Sequence, residues 1–129
     1  MIIKSFELNK IDLKTNKLFL LYGENQGAKN ELIQSIIRQK KIPTYKYYEN
    51  ELINNSENFF NSILSKSFFE KEKILIIKKI TNKIYEIIEE IIEKNSDEIL
   101  ILDADMLDKK SKLRNLFEKN KNLICVPFY

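Results

Sequence analysis

The sequence predicts an α/β fold: a five-stranded parallel sheet sandwiched by helices. Three observations predict it. Short apolar runs of strand length alternate along the chain with stretches whose apolar residues recur at helical spacing. Strands separated by such helices form right-handed crossovers and lie parallel, with both faces covered. The chain has 129 residues, 43% of them hydrophobic, which suits one domain with a core that needs no disulfide or metal staple. The expected domain is 1–129, undivided.

The elements follow in order. Residues 17–22 end in the run Leu18-Phe19-Leu20-Leu21-Tyr22 and read as a strand buried on both faces, closed by Gly23. A helix follows, with Leu32, Ile33, Ile36 and Ile37 forming one stripe. It must stop before Pro43, after the basic tail Arg38-Gln39-Lys40-Lys41, whose charge suits a helix C-terminus. Residues 44–48 are β-branched and aromatic, a second strand. Residues 49–55 are polar and read as a turn, after which Ser56 is placed to cap a short helix carrying Phe59, Phe60, Ile63 and Leu64. Residues 74–77 form a third buried strand. The clearest amphipathic helix carries Ile84, Ile87, Ile88, Ile91 and Ile92 opposite Glu86, Glu89, Glu90 and Glu93. Residues 98–102 are a fourth strand ending at Asp103. A helix with Leu113, Leu116 and Phe117, capped by Ser111 or Asp108, leads to a fifth strand at residues 123–126.

Composition removes several chemistries. The chain has no histidine, so Ser-His and Cys-His nucleophile pairs and His-ligated zinc are absent. A single cysteine, Cys125, excludes an intrachain disulfide and a cysteine-cluster metal site. The net charge of +3 is no nucleic-acid footprint by itself. Lys78, Lys79, Lys109, Lys110 and Lys112 read as a solvated surface, with a duplex contact as the alternative. No run approaches the length of about 18 apolar residues needed for a membrane span, and residues 1–5 are too short for a secretory signal. A cytoplasmic protein is expected, with no membrane partner.

The strand–glycine turn–helix unit invites comparison with a phosphate-binding loop of the form G-x-x-x-x-G-K-[ST]. Here the residues are Gly23-Glu24-Asn25-Gln26-Gly27-Ala28-Lys29-Asn30. The glycines are one residue too close, Ala28 stands at the lysine position, and Asn30 after Lys29 lacks the hydroxyl that would meet magnesium. Glu24 adds negative charge beside the cradle. The run Leu100-Ile101-Leu102-Asp103-Ala104-Asp105 has the outline of a Walker B strand, but Ala104 stands where a hydrolytic site needs glutamate. Asp103 and Asp105 are therefore read as a solvated turn with helix-capping duty. The frame is that of a nucleotide-binding domain with a degenerate phosphate loop (Gly23, Gly27, Lys29, Asn30), a degenerate Walker B (Asp103, Asp105) and no expected cofactor, metal or catalytic residue.

Two adjacent phenylalanines, Phe68 and Phe69, lie between Lys66 and Glu70-Lys71-Glu72-Lys73. Adjacent helical residues diverge by about 100°, so both rings do not easily enter one core face. One reading packs one ring under the sheet and the other over a helix end. The other makes the pair an aromatic wedge for a partner's pocket.

Three stretches together resemble the N-terminal domain of the delta subunit of bacterial DNA polymerase III, the clamp-loader subunit that opens the sliding clamp. Leu20-Leu21-Tyr22-Gly23-Glu24 is similar to the family's opening strand and degenerate loop. Leu64-Ser65-Lys66-Ser67-Phe68-Phe69 resembles its clamp-binding hexapeptide. Ile101-Leu102-Asp103-Ala104 through Lys109-Lys110-Ser111-Lys112-Leu113-Arg114 resembles its fourth strand and the helix beyond. The family's hexapeptide begins with glutamine and has a small or aliphatic residue, leucine and phenylalanine at positions four to six. Ser67, Phe68 and Phe69 fill those three places, and Leu64 replaces the glutamine.

The resemblance implies a P-loop NTPase fold of AAA+-like type, in a domain that binds and helps open the clamp without hydrolysing nucleotide. It implies a place in the polymerase III holoenzyme, other clamp-loader subunits as partners, DNA contacts through the assembly, and two further helical domains in a longer chain. Two other classes stand beside it: a small P-loop phosphotransferase and a generic α/β interaction domain.

Overall fold

A computed structural model describes residues 1–58, 61, 72–94 and 98–129. Five strands form one sheet: β1 (Leu18–Tyr22), β2 (Thr44–Tyr48), β3 (Ile74–Ile80), β4 (Ile99–Ala104) and β5 (Leu123–Pro127). Their order is β2-β3-β4-β1-β5, and every pairing is parallel. The helices include α1 (Gln26–Lys40), α2 (Glu49–Asn54), α3 (Tyr85–Lys94) and α4 (Lys112–Lys119). The expected α/β architecture with a five-stranded parallel sheet is present.

Strand order decides which face each helix takes. The β1-to-β2 connection and the β4-to-β5 connection travel in opposite directions across the sheet, so right-handed crossovers put their helices on opposite faces. On one face Phe19, Leu21, Ile74, Ile76, Ile99 and Ile101 pack with Leu32, Ile33 and Ile36 of α1. On the other, Leu20, Tyr22, Leu75, Ile77, Leu100 and Leu102 pack with Ile88 of α3 and with Leu113 and Phe117 of α4. Successive strand residues feed alternate layers, which is why the strands are apolar throughout.

Two local expectations are corrected or decided. Residues 49–55 are not a turn, because Glu49–Asn54 is helical. Leu52 is buried there, Glu49 and Glu51 suit the positive end of the helix, and the Glu49 carboxylate accepts from the Thr81 amide at 2.8 Å and its hydroxyl at 2.9 Å. Between Ser111 and Asp108, the cap of α4 is Ser111, whose Oγ accepts from the Arg114 amide at 3.2 Å and donates to Asn82 at 2.7 Å. Strands β3, β4 and β5 run further than predicted at their C-terminal ends, and Lys79 takes a left-handed conformation (φ 58°) where the β3–β4 register shifts.

Cys125 is buried in β5, and residues near the N-terminus lie beside it, the Ile3 amide donating to its carbonyl at 2.9 Å. Burial, followed by the nearby Glu118 carboxylate, pushes the thiol from 9.0 up to about 12. Above about pH 9 the unfolded chain therefore releases a proton that the folded chain keeps, and stability falls as pH rises towards 12. Relative to Cys125→Ala, the wild type should lose about 1.4 kcal/mol of stability per pH unit in that window. Urea midpoints of the two proteins between pH 8 and 11 measure this, and parallel curves would refute it.

Candidate functional site

In an open α/β sheet, ligands bind beyond the carboxyl ends of the strands where the strand connections diverge to opposite sides. Here that point lies between β1 and β4, at Tyr22-Gly23 and Asp103-Ala104. The register sets Leu21 opposite Asp103 and Tyr22 opposite Ala104. The phosphate-loop residues and the Walker B-like aspartate are thus neighbours in space.

What they do there differs from the solvated turn expected of Asp103. Asp103 is 5% exposed, and Lys29, in the first turn of α1, is fully buried. The Lys29 ammonium pairs with Asp103 Oδ1 at 3.0 Å and donates to the Ala104 carbonyl at 2.8 Å. The other carboxylate oxygen, Oδ2, accepts from Gln26 Nε2 at 3.0 Å, and that amide also donates to Asn30 Oδ1 at 2.9 Å. A cation set one position from the phosphate-loop lysine is neutralised by the protein's own carboxylate. Asn30 stays at the surface, and Asp105 is exposed, its carbonyl accepting from the Gly23 amide at 2.9 Å.

The loop itself is short. Helix α1 begins at Gln26, so only Glu24 and Asn25 separate Gly23 from the helix, and Gly27 already lies within it. Asn25 caps the helix through its side chain, which accepts from the Ala28 amide at 3.1 Å. The Asn25 amide donates to the Phe128 carbonyl at 3.2 Å, and the Phe128 amide donates to Tyr22 at 2.7 Å. Gly23 has φ +125°, and a Cβ there would sit 1.9 Å from the Phe128 carbonyl oxygen, so the glycine is required by the close pass of that backbone. Gly27 has no such need, since an added Cβ would meet only Asn25 Oδ1 at 3.8 Å. The Gly23, Asn25, Gln26 and Ala28 amides are bonded to the chain itself, and the lysine is turned inward. These residues do not fit a nucleotide.

On the opposite face of β1, the Arg114 guanidinium stacks 4.9 Å from the Tyr22 ring centroid and donates to the Leu107 carbonyl at 2.8 Å and to Glu118 at 2.6 Å. Tyr129 meets Tyr22 edge-on at 6.1 Å, and the two hydroxyls are 3.4 Å apart. Burial first, then that hydrogen bond, pushes the Tyr22 phenol well above its ordinary value. Beyond the ends of β3 and β4 lies a cavity of about 430 Å³ bordered by Lys79, Thr81, Asn82, Asp105 and Asp108. Lys79, Lys109, Lys110 and Lys112 are exposed and Lys78 is half-buried.

Sequence reasoning missed Gln26, Phe128 and the Tyr22–Arg114 stack. Gln26 was findable, because it lies three residues before Lys29 and so shares its helix face. Phe128 had no signal. The proposed clamp-binding residues Leu64, Ser67, Phe68 and Phe69 lie outside the described residues. Among the described residues no three His, Cys, Asp or Glu side chains group as metal ligands, and no helix is long and apolar enough to cross a membrane. The sequence matches no family model and no curated protein.

Removing one partner of a buried ion pair leaves the other charged and alone. Lys29→Met should therefore cost about 3–5 kcal/mol, while Lys29→Met combined with Asp103→Leu should recover most of the loss. Urea denaturation of the wild type, both singles and the double variant tests this, and a neutral Lys29→Met would show that the pair holds nothing together.

Proposed function

We propose that this chain is a clamp-binding domain of a replication clamp loader, resembling the N-terminal domain of the polymerase III delta subunit. In this reading it works in the cytoplasm beside other clamp-loader subunits and meets DNA only through the assembly. The observation that carries the reading is the buried contact of Lys29 with Asp103 and Ala104. A P-loop, AAA+-like frame whose cation is held internally suits a subunit that binds and does not hydrolyse. The strand order, with the loop-bearing β1 between β4 and β5, supports the same frame.

The wedge works by population shift. A closed ring samples opened states rarely, and a ligand favours them only by binding them better. Phe68 and Phe69 anchor the domain in an apolar pocket on the clamp. Neighbouring surface then fits the clamp better once its subunit interface has parted. Burying one phenylalanine contributes about 1.5–3 kcal/mol, so two rings supply much of the anchor.

The test is binding of the purified chain to the sliding clamp encoded by the same genome. Phe69→Ala should weaken it by about 2–4 kcal/mol, on the order of 30- to 1,000-fold. ATP with magnesium should leave the melting temperature unchanged. An unaffected Phe69→Ala removes the wedge, no clamp binding at all leaves a generic α/β interaction domain, and several degrees of stabilisation by ATP–magnesium favours a phosphotransferase.

A further inference from the structure

The face of the sheet that α1 covers holds a cavity that the clamp-loader reading does not use. It measures about 640 Å³ and runs between α1 and the N-terminal residues 5–13. Leu8, Ile11 and Leu13 form one wall, and Leu32 and Ile36 of α1 face them, with Phe128 also at the border. Gly27, Glu31, Gln34 and Arg38 recur at helical spacing and all border the space, so one ridge of α1 follows it from end to end. From Gly27 to Arg38 that ridge rises about 16 Å, which makes the cavity an elongated groove.

The protein's own packing does not close this groove. Leu8, Ile11 and Leu13 lean on the buried cluster yet stay half-buried, leaving apolar surface on both sides of the gap. Arg38 stands at the end of the groove nearest the C-terminus of α1. It is half-buried, and among the described residues it makes no hydrogen bond or ion pair. Its neighbours in kind are occupied: Lys40 pairs with Glu72 at 3.6 Å, and Arg114, the chain's other arginine, pairs with Glu118 at 2.6 Å. A half-buried guanidinium has given up part of its hydration, and its planar fork matches a carboxylate. Glu31 is the carboxylate that borders the groove. It is exposed and sits about two helical turns, or about 10 Å of rise, from Arg38.

We infer that this groove binds an unbranched aliphatic monocarboxylate, the carboxylate on Arg38 and the chain along the aliphatic walls towards Gly27. The charges select a single negative headgroup, since one guanidinium is offered and Glu31 on the same ridge repels a second negative charge. The walls select the body, because a long gap between leucine and isoleucine side chains takes a hydrocarbon chain. An extended peptide would instead lay main-chain N–H and C=O groups against those side chains without partners. The volume lies within the roughly 300–1,000 Å³ of small-molecule pockets.

Calorimetric titration and thermal melts of the whole chain test the site. The probe is octanoate, with hexanoate for chain length, 1-octanol as the uncharged control and octylammonium as the control of opposite charge. Octanoate should bind and raise the melting temperature, and each methylene between hexanoate and octanoate should tighten binding about fourfold. Both 1-octanol and octylammonium should bind at least tenfold more weakly than octanoate. Arg38→Gln should weaken octanoate binding at least tenfold, about 1.4 kcal/mol, and melt close to the wild type, since the side chain it removes has no partner to lose. Ser35 borders the same groove from α1, and Ser35→Phe should abolish binding by filling it. The proposal is overturned by absence of octanoate binding, by 1-octanol or octylammonium binding as tightly, or by octanoate binding that survives Arg38→Gln. None of these readouts involves the clamp, so this site and the clamp-binding reading stand or fall separately.

Discussion

The contact on which the carboxyl end of the sheet depends is the buried pairing of Lys29 with Asp103. It ties the first turn of α1 to the last residues of β4 across the point where connections diverge, the place an α/β protein ordinarily leaves open. The pair is sealed from water, so neither charge is tolerable without the other. Gln26 completes the carboxylate's bonding, and the Ala104 carbonyl that of the ammonium. Once this cross-brace is in place, the helix can begin immediately after Asn25, and the loop has no slack with which to wrap a ligand.

The second constraint is the pass of Phe128 over Gly23. The backbone of one lies where the side chain of the other would be, and flanking amides bond across the gap. The two closures act in the same direction: one fills the site with charge from within, the other covers its loop with main chain. A domain built this way turns its polar groups inward at the end of the sheet where α/β proteins ordinarily bind ligands.

Much of the architecture was legible in the sequence because the signals were redundant. Leu18 to Tyr22 has no polar residue, so its burial on both faces could be read directly, and the isoleucine spacing of α3 admitted one period. Failures came where tertiary contacts overrode local chemistry. Residues 49–54 look like a turn because their helix is held by Leu52 and by a carboxylate that reaches Thr81, thirty-two residues away. The defects of the phosphate loop were visible in the spacing of Gly23, Gly27 and Lys29. The fate of Lys29 was not, since a lysine near a surface turn is ordinarily solvated and only the strand order brings Asp103 beneath it. The groove along α1 is likewise invisible in one dimension, because its other wall comes from residues 5–13.

The strand order also has a consequence for biosynthesis. Strand β1 is made first, yet both of its neighbours, β4 and β5, come from the far end of the chain. While the ribosome is still elongating, an apolar ribbon with two bare hydrogen-bonding edges must wait until residues 99–127 have been made. The centre of the sheet is therefore the last part to be enclosed, and a nascent chain of this kind is a natural client for holding factors that shield sticky edges until translation has passed β5.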